Sequence, residues 1–233
     1  MTVTRQVITC TDNNGHDRLG TKNLAWRHDD QAIVSGSLLT VDPTQFCVLR
    51  SRGAVLNTYE TGQYPLVTPD KPILGSFAQN FWSGSAPWAY EVIYINRAKL
   101  KVSNEGDATT SEMALVHYVV DYYIHIDTKQ GALDLTTHLP FSGAFINTAE
   151  IADYAGPAIE QAINQVIQVT PLEHINEKIN ELREQVKGHL EQFLSIFGIH
   201  LNDLKILVMP KDPAIQEIIS LRALGLKDAD LPK

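Results

Sequence analysis

The chain has 233 residues, of which 44% are hydrophobic and 20% charged, and a formal net charge of −8. A chain of this length makes one large domain or two small ones, and it buries enough surface to form a core without metal or disulfide staples. The acidic excess is even, with 11 basic against 15 acidic residues in 1–150 and 8 against 12 in 151–233, so binding of nucleic acid or anionic lipid through bulk charge is disfavoured.

The first part reads as β-rich. Residues 10–20 (CTDNNGHDRLG) are turn formers and read as a loop. Ile33, Val34, Leu38, Leu39 and Val41 flank Gly36, and Phe46, Val48 and Leu49 lead to Gly53, with Val55 and Leu56 beyond it. Residues 61–72 are dense in Gly and Pro and read as turns, whereas 87–103 (PWAYEVIYINRAKLKVS) read as one or two strands. The clearest strand is 115–126. Its even-numbered residues, Val116 to Ile126, form one apolar face, and His117, Val119, Asp121, Tyr123 and His125 form the other.

From about residue 128 the period becomes helical. Asn147 and Glu150 have capping-box spacing, and Gly156-Pro157 restarts or kinks the helix that follows. Thr170-Pro171-Leu172-Glu173 reads as an N-cap, a first-turn proline and an acidic third position. It opens a helix of about 27 residues, roughly 40 Å long, with a stripe of Ile175, Ile179, Leu182, Val186, Leu190, Phe193 and Phe197, ended by Gly198. Residues 201–208 return to a strand, and Asp212-Pro213 caps a last helix. Strands and helices are segregated, which predicts an α+β fold.

Cys10 and Cys47 are too few for a disulfide framework. Residues 1–10 lack an apolar signal region, and no run of 18 apolar residues occurs. The expected location is the cytoplasm, with both thiols reduced.

Motifs for chemistry are missing. The sequence contains no phosphate-cradling glycine loop, no zinc-protease His pair and no nucleophile elbow. Asp12 to Asp17 lacks the spacing of a calcium loop. His117, Asp121 and His125 share a strand face, but residues four apart on a strand lie about 13 Å apart. They would bind a metal only with ligands from neighbouring strands, and this is the alternative, enzymatic reading of the chain. Cys47, between Phe46 and Val48, reads as core rather than as a nucleophile. Phe81, Trp82, Trp88 and Tyr90 form an aromatic cluster that reads either as core or as a partner and oligomer contact.

Four segments, GSLLTVDPTQFCVLRSRG (36–53), YETGQYPLVTPDKP (59–72), WAYEVIYINR (88–97) and VDYYIHI (120–126), combine with the helical half and its return strand up to Pro210. Together they resemble the SPFH/band 7 domain of stomatins, prohibitins and flotillins, and within it the soluble bacterial branch often labelled virion-core-protein-like. The resemblance implies a curved, mostly antiparallel sheet flanked by C-terminal helices. It implies a non-enzymatic scaffold without catalytic residues or cofactors, which homo-oligomerises and docks other proteins, membrane proteins among them. The branch label adds a weaker alternative, a phage or virion structural protein. The expected division is an N-terminal extension over 1–29, the SPFH/band 7-like domain over 30–210, and a C-terminal helix over 211–233 that leads into a further region. Membrane association is expected to be peripheral, through partners or through that further region.

Overall fold

The computed structural model describes residues 6–12, 14–28, 33, 36–51, 53–66, 90–141, 143–214 and 216. In chain order the strands are β1 (Val7–Ile8), β2 (Asn23–Arg27), β3 (Leu38–Val41), β4 (Gln45–Ser51), β5 (Ala54–Tyr59), β6 (Gly62–Pro65), β7 (Tyr90–Asn96), β8 (Leu100–Thr109) and β9 (Leu115–His125). Helix α1 (Lys129–His138), strand β10 (Phe145–Asn147), helices α2 (Thr148–Ile167) and α3 (Ile175–Ser195), and strand β11 (His200–Pro210) complete the order. This is an α+β fold in which all strand pairs with a described register are antiparallel except β1 with β3.

The chain divides into two compact units, one of residues 1–100, 124–151 and 195–200, the other of 101–123, 152–194 and 201–233. The first unit holds a three-stranded sheet, β1-β3-β6, and a five-stranded sheet, β10-β2-β7-β4-β5. The inner strands β2, β7 and β4 of the five-stranded sheet are buried on both faces and read as near-continuous apolar runs rather than alternating ones, whereas the edge strand β5 is largely exposed. Trp26, Cys47, Leu49, Val92 and Tyr94 lie on one face, in a cluster with Ile8, Leu39 and Val41. The Tyr94 hydroxyl lies 3.0 Å from both the Ile8 and the Thr40 carbonyl oxygens, tying β7 to the smaller sheet. On the opposite face the register aligns Ala25 with Ile95 and Phe46 with Ile95, and α1 packs against β4 and β5. Thr128 caps α1, its Oγ1 accepting from the Gly131 N–H at 3.0 Å.

The second unit is built on β11-β9-β8. Val116, Tyr118, Val120 and Tyr122 of β9 are all buried, as the alternation requires, along with Leu204 and Ile206 of β11. The capping box closes as expected at the start of α2, where Asn147 N–H donates to Glu150 Oε2 at 2.9 Å and Glu150 N–H to Asn147 Oδ1 at 3.0 Å. Helix α2 runs unbroken through Pro157.

Four expectations change. The long helix begins with a separate 3-10 turn, Leu172–His174, so α3 has 21 residues rather than about 27. Thr170 does not cap it, because its hydroxyl donates back to the Val166 carbonyl at 2.7 Å. The buried stripe is Ile175, Leu182, Val186, Leu190 and Leu194, so Leu194 takes the place expected for Phe193. The Gly62–Pro65 stretch, read as a turn, is a strand paired with β3. Asp212 Oδ1 accepts from the Ala214 N–H at 2.9 Å, as a cap would, and the Gln216 N–H donates to the Asp212 carbonyl at 3.1 Å. The rest of the expected last helix, beyond residue 216, lies outside the described residues.

Candidate functional site

The second face of β9 is the part of the second unit that its own core does not use. Leu115 is 44% exposed and Tyr123 43%, with half-buried Val119 between them. On β11, Leu207 and Met209 are also exposed, as are Met113 in the β8–β9 turn and Val169 after α2. A hydrogen bond from Ser111 N–H to the Thr170 carbonyl joins those last two segments. Each of these large side chains is ordinary alone, but a row of them on one sheet face is a surface suited to a partner.

Charged groups interrupt the row, with His117 between Leu115 and Val119 and Asp121 between Val119 and Tyr123 on the same face. Asp107 receives Lys211 Nζ at 2.6 Å and pairs with His117 Nδ1 at 3.0 Å, while Asp121 receives Lys101 Nζ at 2.8 Å and the Ser103 hydroxyl at 2.7 Å. The hydrogen bond from Lys211, then that from His117, holds the Asp107 carboxyl below its ordinary range. Lys101 and then Ser103 do the same for Asp121. A carboxyl whose pKa is depressed by folding contributes stability above its unfolded pKa and loses it as pH falls through the folded one. Stability is therefore expected to decline as pH drops below about 4, with Asp107→Asn and Asp121→Asn each flattening that decline. Denaturant unfolding at a series of pH values checks this, and an acid limb of unchanged slope in both variants would refute it.

The structure gives His117, Asp121 and His125 separate partners instead of one centre. His117 meets Asp107, Asp121 meets Lys101 and Ser103, and the His125 ring lies 5.6 Å from that of His200. Among the described residues, no three His, Cys, Asp or Glu side chains are placed to hold a metal ion. Cys10 and Cys47 are free and buried, and burial pushes both thiols up, away from the thiolate that a nucleophile needs. In the 10–20 loop, Asp12 Oδ1 accepts the N–H groups of Asn14 and His16, both at 2.9 Å, the pattern of a local polar turn.

Of the aromatic cluster, Tyr90 is 3% exposed and belongs to the apolar core of the first unit, so in this chain it is a packing residue and not a surface contact. Phe81, Trp82 and Trp88 lie outside the described residues. Sequence reasoning missed Leu115, Leu207 and Met209 as surface groups. The available signal was that Val119 and Tyr123 make the polar face of β9 unusually apolar.

Among the described residues no helix is long and apolar enough to cross a membrane. Residues 25–223 match the model of the SPFH domain-Band 7 family. No curated protein matches the chain.

Proposed function

This chain belongs to the SPFH domain-Band 7 family, whose members generally scaffold and oligomerise rather than catalyse, and from that premise we propose that it self-associates and docks partner proteins through the outer face of β8, β9 and β11. The observation that carries this reading is the exposed apolar row of Leu115, Tyr123, Leu207 and Met209. Apolar side chains interleaved with ion pairs have the mixed composition of a non-obligate protein–protein interface, which is about as apolar as the rest of a surface. The flanking pairs carry both signs, so the same face can meet a second copy of itself. Phe81, Trp82 and Trp88 are proposed as further partner contacts on their composition. Within the family, the soluble virion-core-protein-like branch is proposed on sequence resemblance alone. In this reading the protein works on the cytoplasmic side, and any membrane contact comes through its partners.

Light scattering after size exclusion tests the proposal. The chain is expected to run as an assembly well above its 25.9 kDa monomer mass. Replacing Tyr123 and Leu207 together by lysine is expected to yield monomer with unchanged thermal stability, since both side chains are already exposed. A wild-type chain that stays monomeric at all concentrations, or a variant that assembles as before, would contradict it.

A further inference from the structure

The first unit contains a cleft of about 350 Å³ that the assembly reading does not use. Three adjacent strands build its floor. The register places Arg27 beside Ile93 and Arg50 beside Glu91, so β2, β7 and β4 present Arg27, Glu91 and Arg50 side by side. The end of α1 and the residues after it, including Thr136, Thr137 and Phe141, form the wall.

The two guanidinium groups are held in place but incompletely paired. Arg27 donates from Nη2 to the Gly143 carbonyl at 2.9 Å, stacks 5.5 Å from the Phe141 ring centre, and keeps a loose 3.9 Å contact with Glu91. Arg50 donates from Nη2 to the hydroxyls of Thr136 at 2.7 Å and Thr137 at 3.3 Å. Its Nε–H is buried with no hydrogen-bond partner, and among the described residues it has no carboxylate in ion-pair contact. A buried guanidinium N–H without an acceptor is costly, and a carboxylate is the group that its planar fork fits best.

We infer that this cleft binds the carboxylate of an apolar organic acid or peptide, with Arg50 and Arg27 as its cationic clamp. Glu91 between the arginines leaves one net positive charge from the three strands, which balances a monoanion and leaves the second charge of a phosphate dianion uncompensated beside the Glu91 carboxylate. The C-terminal end of α1 adds partial negative charge on the same side. Pro140 and Phe141, above the buried Ile93 and Leu139, give an apolar group somewhere to sit, and His138 completes the lining.

Benzoate is the probe, benzamide its uncharged control and inorganic phosphate the competing anion, with the NMR signal of the Arg50 Nε–H as the reporter. Benzoate is expected to move that signal to saturation and benzamide to leave it in place. Arg50→Gln, followed by line broadening of the ligand, is expected to weaken benzoate binding about tenfold or more. Glu91→Gln is expected to tighten it several-fold, a gain that no folding defect can imitate. A short peptide with a free C-terminal carboxylate, and its amide carrying one glutamate side chain, distinguish a chain end from an acidic side chain as the natural occupant. If benzoate and benzamide act alike, if Glu91→Gln weakens binding, or if phosphate binds as tightly as benzoate, the assignment fails.

Discussion

Replacing Gly198 by alanine is expected to destabilise the first unit by about 2–4 kcal/mol, the sum of left-handed strain and overpacking. Gly198 ends the turn after α3 with φ of +68°, and its N–H donates to the Ser195 carbonyl at 3.0 Å. A Cβ added there would collide with the Cα and carbonyl of Gly131 in the first turn of α1, and a Cβ on Gly131 would come within 2.6 Å of the Gly198 carbonyl oxygen. Both obstacles are main chain, so no rotamer change relieves them. Gly53 is the control, because its φ of +77° imposes similar strain while nothing lies within 4 Å of its added Cβ. Gly53→Ala should therefore cost only about 1 kcal/mol. In a chain of this size the Gly198 variant should melt about 10 °C lower, and the Gly53 variant only a few degrees lower. Equal losses in calorimetry would show that the two glycines do not touch.

The same contact illustrates which features were legible in the sequence. Gly198 was readable as a helix end because a positive φ after an apolar stripe is a local requirement. That it also had to admit Gly131 was not readable, since the two residues are far apart in the chain. β9 was legible because one of its faces is buried and the other is not. β2, by contrast, has Leu24, Ala25 and Trp26 all buried and left no alternation to detect. Gly62–Pro65 has the composition of a turn, and only pairing with β3 makes it a strand. Among caps, Asn147 and Glu150 satisfy one another locally and could be read directly. Thr170 had a competing acceptor in the Val166 carbonyl, and that acceptor won. For the candidate surface, the alternation placed His117, Asp121 and His125 on one face, but the separate partners that the neighbouring strands supply to each were not readable. Arg27, Arg50 and Glu91 could not be grouped from sequence, because only the order β2-β7-β4 makes them neighbours.

Asn104 offers the second large effect, and it separates a buried hydrogen-bond network from simple packing. Tyr122 is fully buried on β9, and its hydroxyl donates to Asn104 Oδ1 at 3.0 Å. Asn104 in turn donates from Nδ2 to the Ala152 carbonyl at 2.8 Å, linking β8 to α2. Burial pushes the Tyr122 hydroxyl well above its ordinary pKa, so it stays a donor and must find an acceptor. Asn104→Ala removes that acceptor and strands the hydroxyl, at an expected cost of about 2–3 kcal/mol. Tyr122→Phe removes the donor instead. The Asn104 oxygen it leaves behind belongs to a part-buried residue that water can reach, so the expected cost is nearer 1 kcal/mol. Once the hydroxyl is gone, Asn104→Ala should cost less than it does in the wild type. The double variant should therefore be more stable than the two single losses predict, by about 1 kcal/mol. A denaturant-unfolding cycle on the four proteins measures this coupling directly. Strict additivity would mean that Asn104 acts only by filling space, and that the Tyr122 hydroxyl is satisfied elsewhere.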